Sequence, residues 1–465
     1  MTWNGSVVAV LAILGADASL PALVTAQNTG GVTRHIDGHL SFLVDAFPDA
    51  DAAPGRQATV EGRVRLFVER RQQIGDHLRL NLAGYVDGLL AARPASWRLP
   101  PGRPSSADGV VRDATVRPTD LYIEFAASRF DLRAGASRIV WGRLDEFQPT
   151  DVVNPIDLSR FLLEGRSEAR LAVGLVRGRV LLPGATTVEA VVVPGFRAGR
   201  FDELDEATSP FNLSRTPGVR LRRDEPAFGR GSIQGGMRAA STVGRVDVGV
   251  SAYRGLRTFP IVTVEHMLPA LPPVVDQGAI PVLDGSPPPL VVHTFPRFTM
   301  IGGDFEAVSG QWGLRGEVAA FVDDQLQSTR AARGVPGTSV EAGVGVDRRA
   351  GDYRVAINVL VGHRAPDGSD PGGARFLGDS EVHRVDAALV AAVDRSFVNQ
   401  TRSLRVFTVY DPADRTVFAR AIGAVSLRDN LWLEGSGGLF AGSSLDTIGR
   451  LTNRDFAYAR LKVFF

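Results

Sequence analysis

The stretch VEGRVRLFVE, residues 60–69, decides the fold class of this chain, because apolar or small residues alternate in it with residues that are mostly charged. A period of two is that of a β-strand whose two faces meet different surroundings. The same alternation returns at residues 314–323 and 340–347, and no comparable helical stripe appears. One face is apolar or small and the other mostly charged: Val60, Gly62, Val64, Leu66 and Val68 against Glu61, Arg63, Arg65, Phe67 and Glu69.

Alternating segments of this kind predict about eighteen strands along the chain. Tight turns, such as those at residues 182–184, 309–310, 350–351 and 429–430, fall between every second pair of strands, and long loops fill most of the other gaps. The predicted strands lie near residues 35–45, 58–70, 76–90, 118–126, 129–140, 167–179, 184–194, 230–240, 243–254, 293–308, 311–323, 338–348, 351–362, 383–395, 400–412, 415–428, 430–441 and 453–465.

This alternation of short turns and long loops is typical of an outer-membrane β-barrel. In lipid every backbone donor and acceptor must be paired internally, so a sheet spans a membrane only if it closes. We therefore predict an all-β fold: a transmembrane antiparallel up-and-down β-barrel of about 16–18 strands, 18 preferred, with short periplasmic turns and long extracellular loops. The alternative is a soluble β-sandwich. Charges near predicted strand centres, such as Arg63 and Arg354, favour the barrel.

Composition limits the cellular compartments and the kinds of chemical site that this chain can have. The 465 residues carry a net charge of +1 and no cysteine, which gives no support for nucleic-acid binding and excludes disulfides, thiolate zinc sites and cysteine nucleophiles. An apolar run at residues 7–14 followed by small residues at 24–26 predicts a signal peptide over residues 1–26. A buried N-terminal helix is the alternative. The predicted barrel domain is residues 27–465.

The final strand, DFAYARLKVFF at residues 455–465, places Ala457, Leu461 and Phe465 on one face and Tyr458 and Arg460 on the other. A closing strand whose apolar face ends in a terminal Phe resembles the signal that the assembly machinery recognises in outer-membrane proteins of Gram-negative bacteria. The resemblance implies transient contact with that machinery and a final location in the outer membrane, surrounded by lipid.

A second distinctive stretch, RIVWGRLDEFQPTDVVNPIDLSRF at residues 138–161, follows the fifth predicted strand. Trp141 is predicted in the aromatic girdle at the outer rim, because an indole suits the headgroup boundary. Gly142 allows a sharp turn after it. Asp151, Asn154 and Asp157 have side chains suited to capping turns or a short helix.

The segments GASRIVWGR, DVVNPIDLSR and VVVPG, between residues 135 and 195, resemble porin-like outer-membrane proteins of uncharacterised families. Those proteins carry a strand ending in Trp-Gly, then a Pro-rich segment and Asn-Pro-x-Asp-Leu. The resemblance implies that loop 141–166 folds into the barrel as a constriction or partial plug. It implies no settled substrate.

Carboxylates in a narrow polar pore are costly unless they are paired. We therefore expect the loop to dock against arginines on the lumen wall, with Arg63, Arg65, Arg133 and Arg354 as the candidates. The alternatives are capping and solvated loop charge; the aspartate spacing lacks the pattern of a calcium loop. The candidate constriction residues are Trp141, Asp145, Asp151, Asn154 and Asp157, and the candidate lumen charges are Arg63, Arg65, Arg133, Glu317, Arg354 and Asp386.

The function predicted is an outer-membrane channel for passage or export of small solutes. An alternative is a transporter for hydrophobic compounds or lipids, with the Pro-rich apolar segment 255–292 at its entry. A hydrolase ranks third, because no G-x-S-x-G motif is present and the seven histidines are scattered. His35 and His39 share a strand face, and solvation there is preferred to metal binding. No catalytic residue, metal or cofactor is predicted, and the solute and the oligomeric state stay open.

Overall fold

The protein is described here from a computed structural model. The described residues are 34–48, 60–92, 110–158, 169–200, 220–265, 290–328, 333–367, 385–442, 448, 451–452 and 454–465. The predicted signal peptide, residues 1–26, lies outside them, as do residues 159–168 of the predicted inward loop. No helix in these ranges is long and apolar enough to cross a membrane.

The described ranges contain twenty-one strands and a short 3-10 helix at Arg230–Ser232. The strands are β1 (Arg34–Ala46), β2 (Val60–Ile74), β3 (Leu78–Ala92), β4 (Val110–Ala126), β5 (Phe130–Ser137), β6 (Val173–Leu182), β7 (Thr186–Val193), β8 (Arg220–Asp224), β9 (Gln234–Val243), β10 (Val246–Leu256), β11 (Ile261–Glu265), β12 (Leu290–Thr294), β13 (Arg297–Ser309), β14 (Trp312–Ser328), β15 (Arg333–Ala350), β16 (Tyr353–Pro366), β17 (Val385–Phe397), β18 (Arg402–Asp411), β19 (Thr416–Arg428), β20 (Leu431–Ala441) and β21 (Phe456–Phe464).

Eighteen of these strands form one closed antiparallel sheet. Each strand pairs with the next barrel strand in the chain, and β1 pairs with both β2 and β21. The closure extends to the last residue, since Gly38 and Phe465 exchange two backbone hydrogen bonds of 3.0 Å. The predicted 18-stranded up-and-down barrel is confirmed, and each of the eighteen predicted strands overlaps a barrel strand.

The two faces of the wall differ as the alternation predicts. On β2, Val64 and Leu66 are 45% and 37% exposed on the outside, whereas Glu61 and Arg65 between the outward positions are 0% and 6% exposed. The same outward pattern continues around the barrel, at positions that include Leu121, Ile123, Val176, Val250, Ile301, Val318, Val344, Ile357, Val359, Leu389, Val406 and Leu439. A continuous apolar outer surface of this kind is far larger than the patches that soluble monomers expose.

Three short strands that the sequence did not predict form a second sheet. β12 pairs antiparallel with β11 and parallel with β8. The Gln327 side chain holds this sheet to the long-loop end of β14 by accepting from the Val262 N–H at 2.7 Å and donating to its carbonyl at 2.9 Å. β8 and β11 lie in the gaps between predicted strands, and β12 begins in such a gap and ends two residues into the predicted strand 293–308. Five residues each gave too little alternation to be recognised.

Parts of the barrel interior are packed with apolar side chains. One cluster joins β16–β21 to β1 and includes the neighbouring rings of Phe407, Phe418, Phe440 and Phe456. The other lies beside β5–β14 and includes Trp141. The lumen is therefore not lined by polar groups alone.

The wall also varies in strand length. β5 and β7 have 8 residues each, whereas β14 has 17 and β15 has 18. At about 3.3 Å per residue, the chain leaves the wall after β5 having run less than half the length of β15. The segment that follows β5 thus starts beside the lumen rather than above it.

The apolar outer face yields a test in lipid. We expect Val318→Arg, near the middle of β14, to lower the free energy of unfolding in bilayers by about 2–4 kcal/mol, and Val308→Arg, near the end of β13, by at most about 1 kcal/mol. Both valines are outward and exposed. Denaturant titration of refolding into lipid vesicles measures the difference, and equal effects at the two positions would contradict a lipid-facing band.

Candidate functional site

Residues 138–158, called here the inward segment, leave the end of β5 and cross the lumen. Along the strand order β17 is opposite β5, and it is flanked by β16 and β18. The inward segment contacts lumen-facing side chains on β4, β7, β10, β13, β14, β16 and β18. A single stretch of chain therefore connects one wall of the barrel to the other.

Asn154 fastens the base of the inward segment. Its Oδ1 accepts from the Ile139 N–H at 2.7 Å, and its Nδ2 donates to the carbonyls of Ser137 at 3.0 Å and Leu171 at 2.9 Å. One buried amide thus joins the end of β5, the start of the inward segment and the stretch that leads into β6. An amide carries both donors and acceptors, so neither Asp nor Leu replaces all three bonds.

Trp141 lies in the interior, and its predicted place in the membrane girdle is wrong. It is 1% exposed, and its Nε1 donates to Glu189 on β7 at 2.8 Å. Its ring meets Tyr253 edge-on, with 5.9 Å between centroids. The chain turns inward after Ser137, which takes the indole into the apolar cluster beside β5–β14, where Glu189 satisfies its polar edge.

Glu317 on β14 organises the turn after Trp141. Its carboxylate accepts from the backbone N–H groups of Arg143 and Leu144, the latter at 2.6 Å, and from the Thr150 hydroxyl at 3.0 Å. Gly142 has φ +99°, and a Cβ there would lie 2.7 Å from a Glu317 oxygen. The Trp-Gly pair is thus explained by a lumen carboxylate that the backbone must approach closely.

The next three charged residues of the inward segment reach the far walls. Arg143 donates to Asp304 at 2.7 Å and to Glu306 at 3.0 Å, both on β13. Asp145 accepts from Arg315 on β14 and Arg354 on β16, each at 2.8 Å. Glu146 pairs with Arg405 on β18. The ion pairs of residues 143–146 therefore fix the middle of the segment near the short-turn ends of these strands.

The remaining two aspartates hold its return path. Asp151 pairs with Arg170, and its other oxygen accepts from the Trp141 N–H at 3.3 Å. Asp157 is fully buried and accepts from Arg117 on β4 at 2.6 Å, with Arg200 at 3.9 Å. Both of these buried carboxylates are thus paired with guanidinium groups, which offsets the cost of burying their charge.

Five of the six candidate lumen charges fall into two groups. Arg354 and Glu317 contact the inward segment. Arg65, Arg133 and Asp386 form ion pairs on the wall, with Asp87 at 2.7 Å, Glu124 at 2.7 Å and Arg364 respectively. Arg63 is half-buried on the lumen face of β2.

Sequence reasoning missed several residues of this network. Arg117, Arg170 and Arg315 pair with the three predicted aspartates, and Arg143 and Glu146 are unpredicted anchors within the segment itself. Their only signal is the lumen phase of a strand or a place in the loop, which many other charged residues share. Among the described residues no group of three or more side chains is arranged to hold a metal ion.

Comparison with known proteins adds a family. Residues 97–388 match the family described as Protein of unknown function (DUF1302), a range that includes the whole inward segment. The chain belongs to this family. The predicted membership of an uncharacterised barrel family is thereby confirmed. Comparison of the DUF1302 chain with curated protein sequences gives no match.

Solved porin structures resemble this DUF1302 protein over nearly its whole length. OpdK of Pseudomonas aeruginosa, determined with vanillate, has 12% identity and a TM-score of 0.46, covering 93% of this chain and 98% of its own. OccAB3 of Acinetobacter baumannii has 9% identity and a TM-score of 0.49, covering 92% and 99%. A BenF-like porin from Pseudomonas fluorescens Pf-5 has 10% identity and a TM-score of 0.49, covering 93% and 98%.

The Glu317 contacts yield a direct test of the inward segment. We expect Glu317→Gln to weaken its docking by about 2 kcal/mol, the cost of losing charge-assisted hydrogen bonds. The DUF1302 chain has no cysteine, so Val152→Cys supplies one thiol within the segment. Its reaction with a small methanethiosulfonate reagent should become faster by on the order of tenfold or more, because labelling follows the population of the open form.

Glu434→Gln is the matched control for this measurement. Glu434 is a carboxylate on β20 that contacts Tyr458 at 2.9 Å, Arg460 and Lys462 instead of the inward segment. Its substitution should leave the labelling rate of the Val152→Cys protein unchanged. Equal rates in the Glu317→Gln and unsubstituted backgrounds would show that Glu317 does not hold the segment.

Proposed function

We propose that this protein is an outer-membrane channel through which small solutes pass, with the inward segment as its constriction. The closed 18-stranded barrel and its apolar outer face support a place in lipid, since closure pairs every strand. The short turns then face the periplasm and the long loops the outside. Lipid is the surrounding partner, and the assembly machinery is a transient one.

The observation that carries the proposal is the crossing of the lumen by the inward segment. A barrel of this strand number is wide enough for an aqueous channel unless something fills it. Here the inward segment fills the lumen and is held near the short-turn ends of β13, β14, β16 and β18 by ion pairs. A route past it runs between charged side chains, which favours small hydrated solutes over large ones.

The charges of the constriction are of both signs. Arg143 and Arg354 each meet two or more carboxylates, and Asp145 meets two arginines. Such a network gives a strong local field with little net charge, so it orients a polar solute without excluding one sign outright. Passage of a solute through such a channel involves no chemical step.

A transporter for hydrophobic compounds is the second candidate. The observation in its favour is the apolar cluster on the lumen side of β16–β21, against which Phe147 of the inward segment packs. Its aromatic members are only 3–8% exposed, which is the burial of a packed core more than of a lining. Residues 266–289 of the predicted apolar entry segment lie outside the described residues.

Planar-bilayer recording separates the two candidates. The channel should give stepwise ion conductance, whereas a sealed hydrophobic conduit should give almost none. We expect the double substitution Asp145→Asn and Glu146→Gln to remove three ion pairs that each contribute about 1 kcal/mol, and so to raise the frequency of a higher-conductance state on the order of a hundredfold.

The control is Asp386→Asn, which removes a lumen carboxylate whose arginine partner, Arg364, lies on the wall. Its conductance states should match those of the unsubstituted protein. If the double variant stays folded and its conductance and fluctuations do not change, the inward segment does not limit the pore.

A further inference from the structure

A cavity of about 380 Å³ lies between β4 and the small sheet, on the long-loop side of the inward segment. Four arginines border it, contributed by three separate parts of the chain: Arg117 on β4, Arg197 and Arg200 after β7, and Arg223 on β8. Leu171, Ala198 and Thr115 complete much of the remaining surface. The cavity thus combines guanidinium groups with apolar side chains at a size typical of small-molecule sites.

Backbone hydrogen bonds on both sides fix the strip that carries Arg197 and Arg200. The Gly199 N–H donates to the Thr258 carbonyl at 2.7 Å, and the Arg200 N–H donates to the Ile156 carbonyl at 2.9 Å. The Leu158 N–H in turn donates to the Arg200 carbonyl at 2.8 Å. The arginines are therefore held on a rigid strip between the inward segment and the loop after β10.

Charge within the cavity is unevenly compensated among the described residues. Arg117 pairs with Asp157 at 2.6 Å, and Arg223 pairs with Glu225 at 2.7 Å. Arg197 has no carboxylate within 4 Å in the described part of the chain, and its Nη1 donates to the Ala172 carbonyl at 2.5 Å. One half-buried guanidinium consequently faces the cavity with a carbonyl as its polar partner.

Among these arginines, Arg197 is destabilised in its charged form by its surroundings. Burial, and then the like charge of Arg117, lower the pKa of its guanidinium from the ordinary value. Arginine nevertheless stays protonated in proteins. An anion bound in the cavity would therefore relieve the repulsion between Arg197 and Arg117, which Asp157 only partly offsets.

We propose that this cavity binds the carboxylate of a small organic anion, with Arg197 as its principal contact and Leu171 against its apolar part. Guanidinium groups suit carboxylates because their N–H donors match the two carboxylate oxygens. The cavity's position above the inward segment makes it a waiting site for the solute, a point that rests on the proposed channel function. Binding itself does not depend on conduction.

Equilibrium binding to the full chain in lipid nanodiscs tests the proposal, with butyrate, 1-butanol and inorganic phosphate as probes followed by NMR titration. Butyrate should bind more tightly than the other two. Arg197→Gln should weaken butyrate binding at least tenfold and leave 1-butanol unchanged. Glu225→Gln removes the competing carboxylate beside Arg223 and should tighten butyrate binding, an effect opposite in sign.

Arg245→Gln is the matched control, because Arg245 is exposed in the turn between β9 and β10. It should bind butyrate as the unsubstituted protein does. Equal butyrate affinity in the Arg197→Gln and Arg245→Gln proteins overturns the site, and phosphate binding as tight as that of butyrate overturns the organic class. If Arg197→Gln fails to fold, Arg197→Lys replaces it: it should weaken butyrate binding, and unchanged binding overturns the role of the guanidinium.

The two proposals fail separately. Loss of ion conductance with butyrate binding intact would remove the channel and keep the site. Stepwise conductance with butyrate bound equally by all variants would keep the channel and remove the site.

Discussion

Pairing of the backbone is the constraint on which the rest of this structure depends. A sheet surrounded by lipid has no water to satisfy an open edge, so the first strand must meet the last. Here β1 meets β21 in a register that runs from His39–Phe464 to Ala46–Ala457. Closure then divides every strand into an outward and an inward face, and this division gives the sequence its period of two.

Closure also creates an interior that water, solute or protein side chains must fill. In this protein much of it is occupied by the protein itself, through two apolar clusters and one charged segment. Trp141 and Val153 of the inward segment lie in one apolar cluster and Phe147 packs against the other. Ion pairs hold residues 143–146 and the two aspartates of the return path, Asp151 and Asp157. Ion pairs are more easily exchanged for water than packed rings are, so the middle of the segment is where a solute can most readily displace protein contacts.

Two carboxylates illustrate how the interior positions this segment. Glu317 is a wall residue that binds the backbone of the segment, whereas Asp157 is a segment residue that binds an arginine of the wall. Each carboxylate accepts hydrogen bonds from groups that would otherwise be buried without a partner. Leaving such a group without a partner costs about 1–3 kcal/mol. These contacts explain the Trp-Gly and Asn-Pro pairs in the sequence. Gly142 has no Cβ and so leaves space for the Glu317 carboxylate, and the Asn154 amide bonds the two ends of the inward segment together.

The sequence by itself determined the barrel, its eighteen strands and which residues face inward, because these follow from a local period of two and from turn chemistry. It also drew attention to Trp141, Asn154 and the aspartates of the inward segment. It misplaced Trp141, missed the small sheet and missed most of the arginine partners. Those features depend on where a chain goes after it leaves the wall, and contacts between residues more than a hundred positions apart, such as Asp145 with Arg315, have no local pattern. Only the tertiary structure decided them, because pairing across a lumen is selected by distance and charge in space.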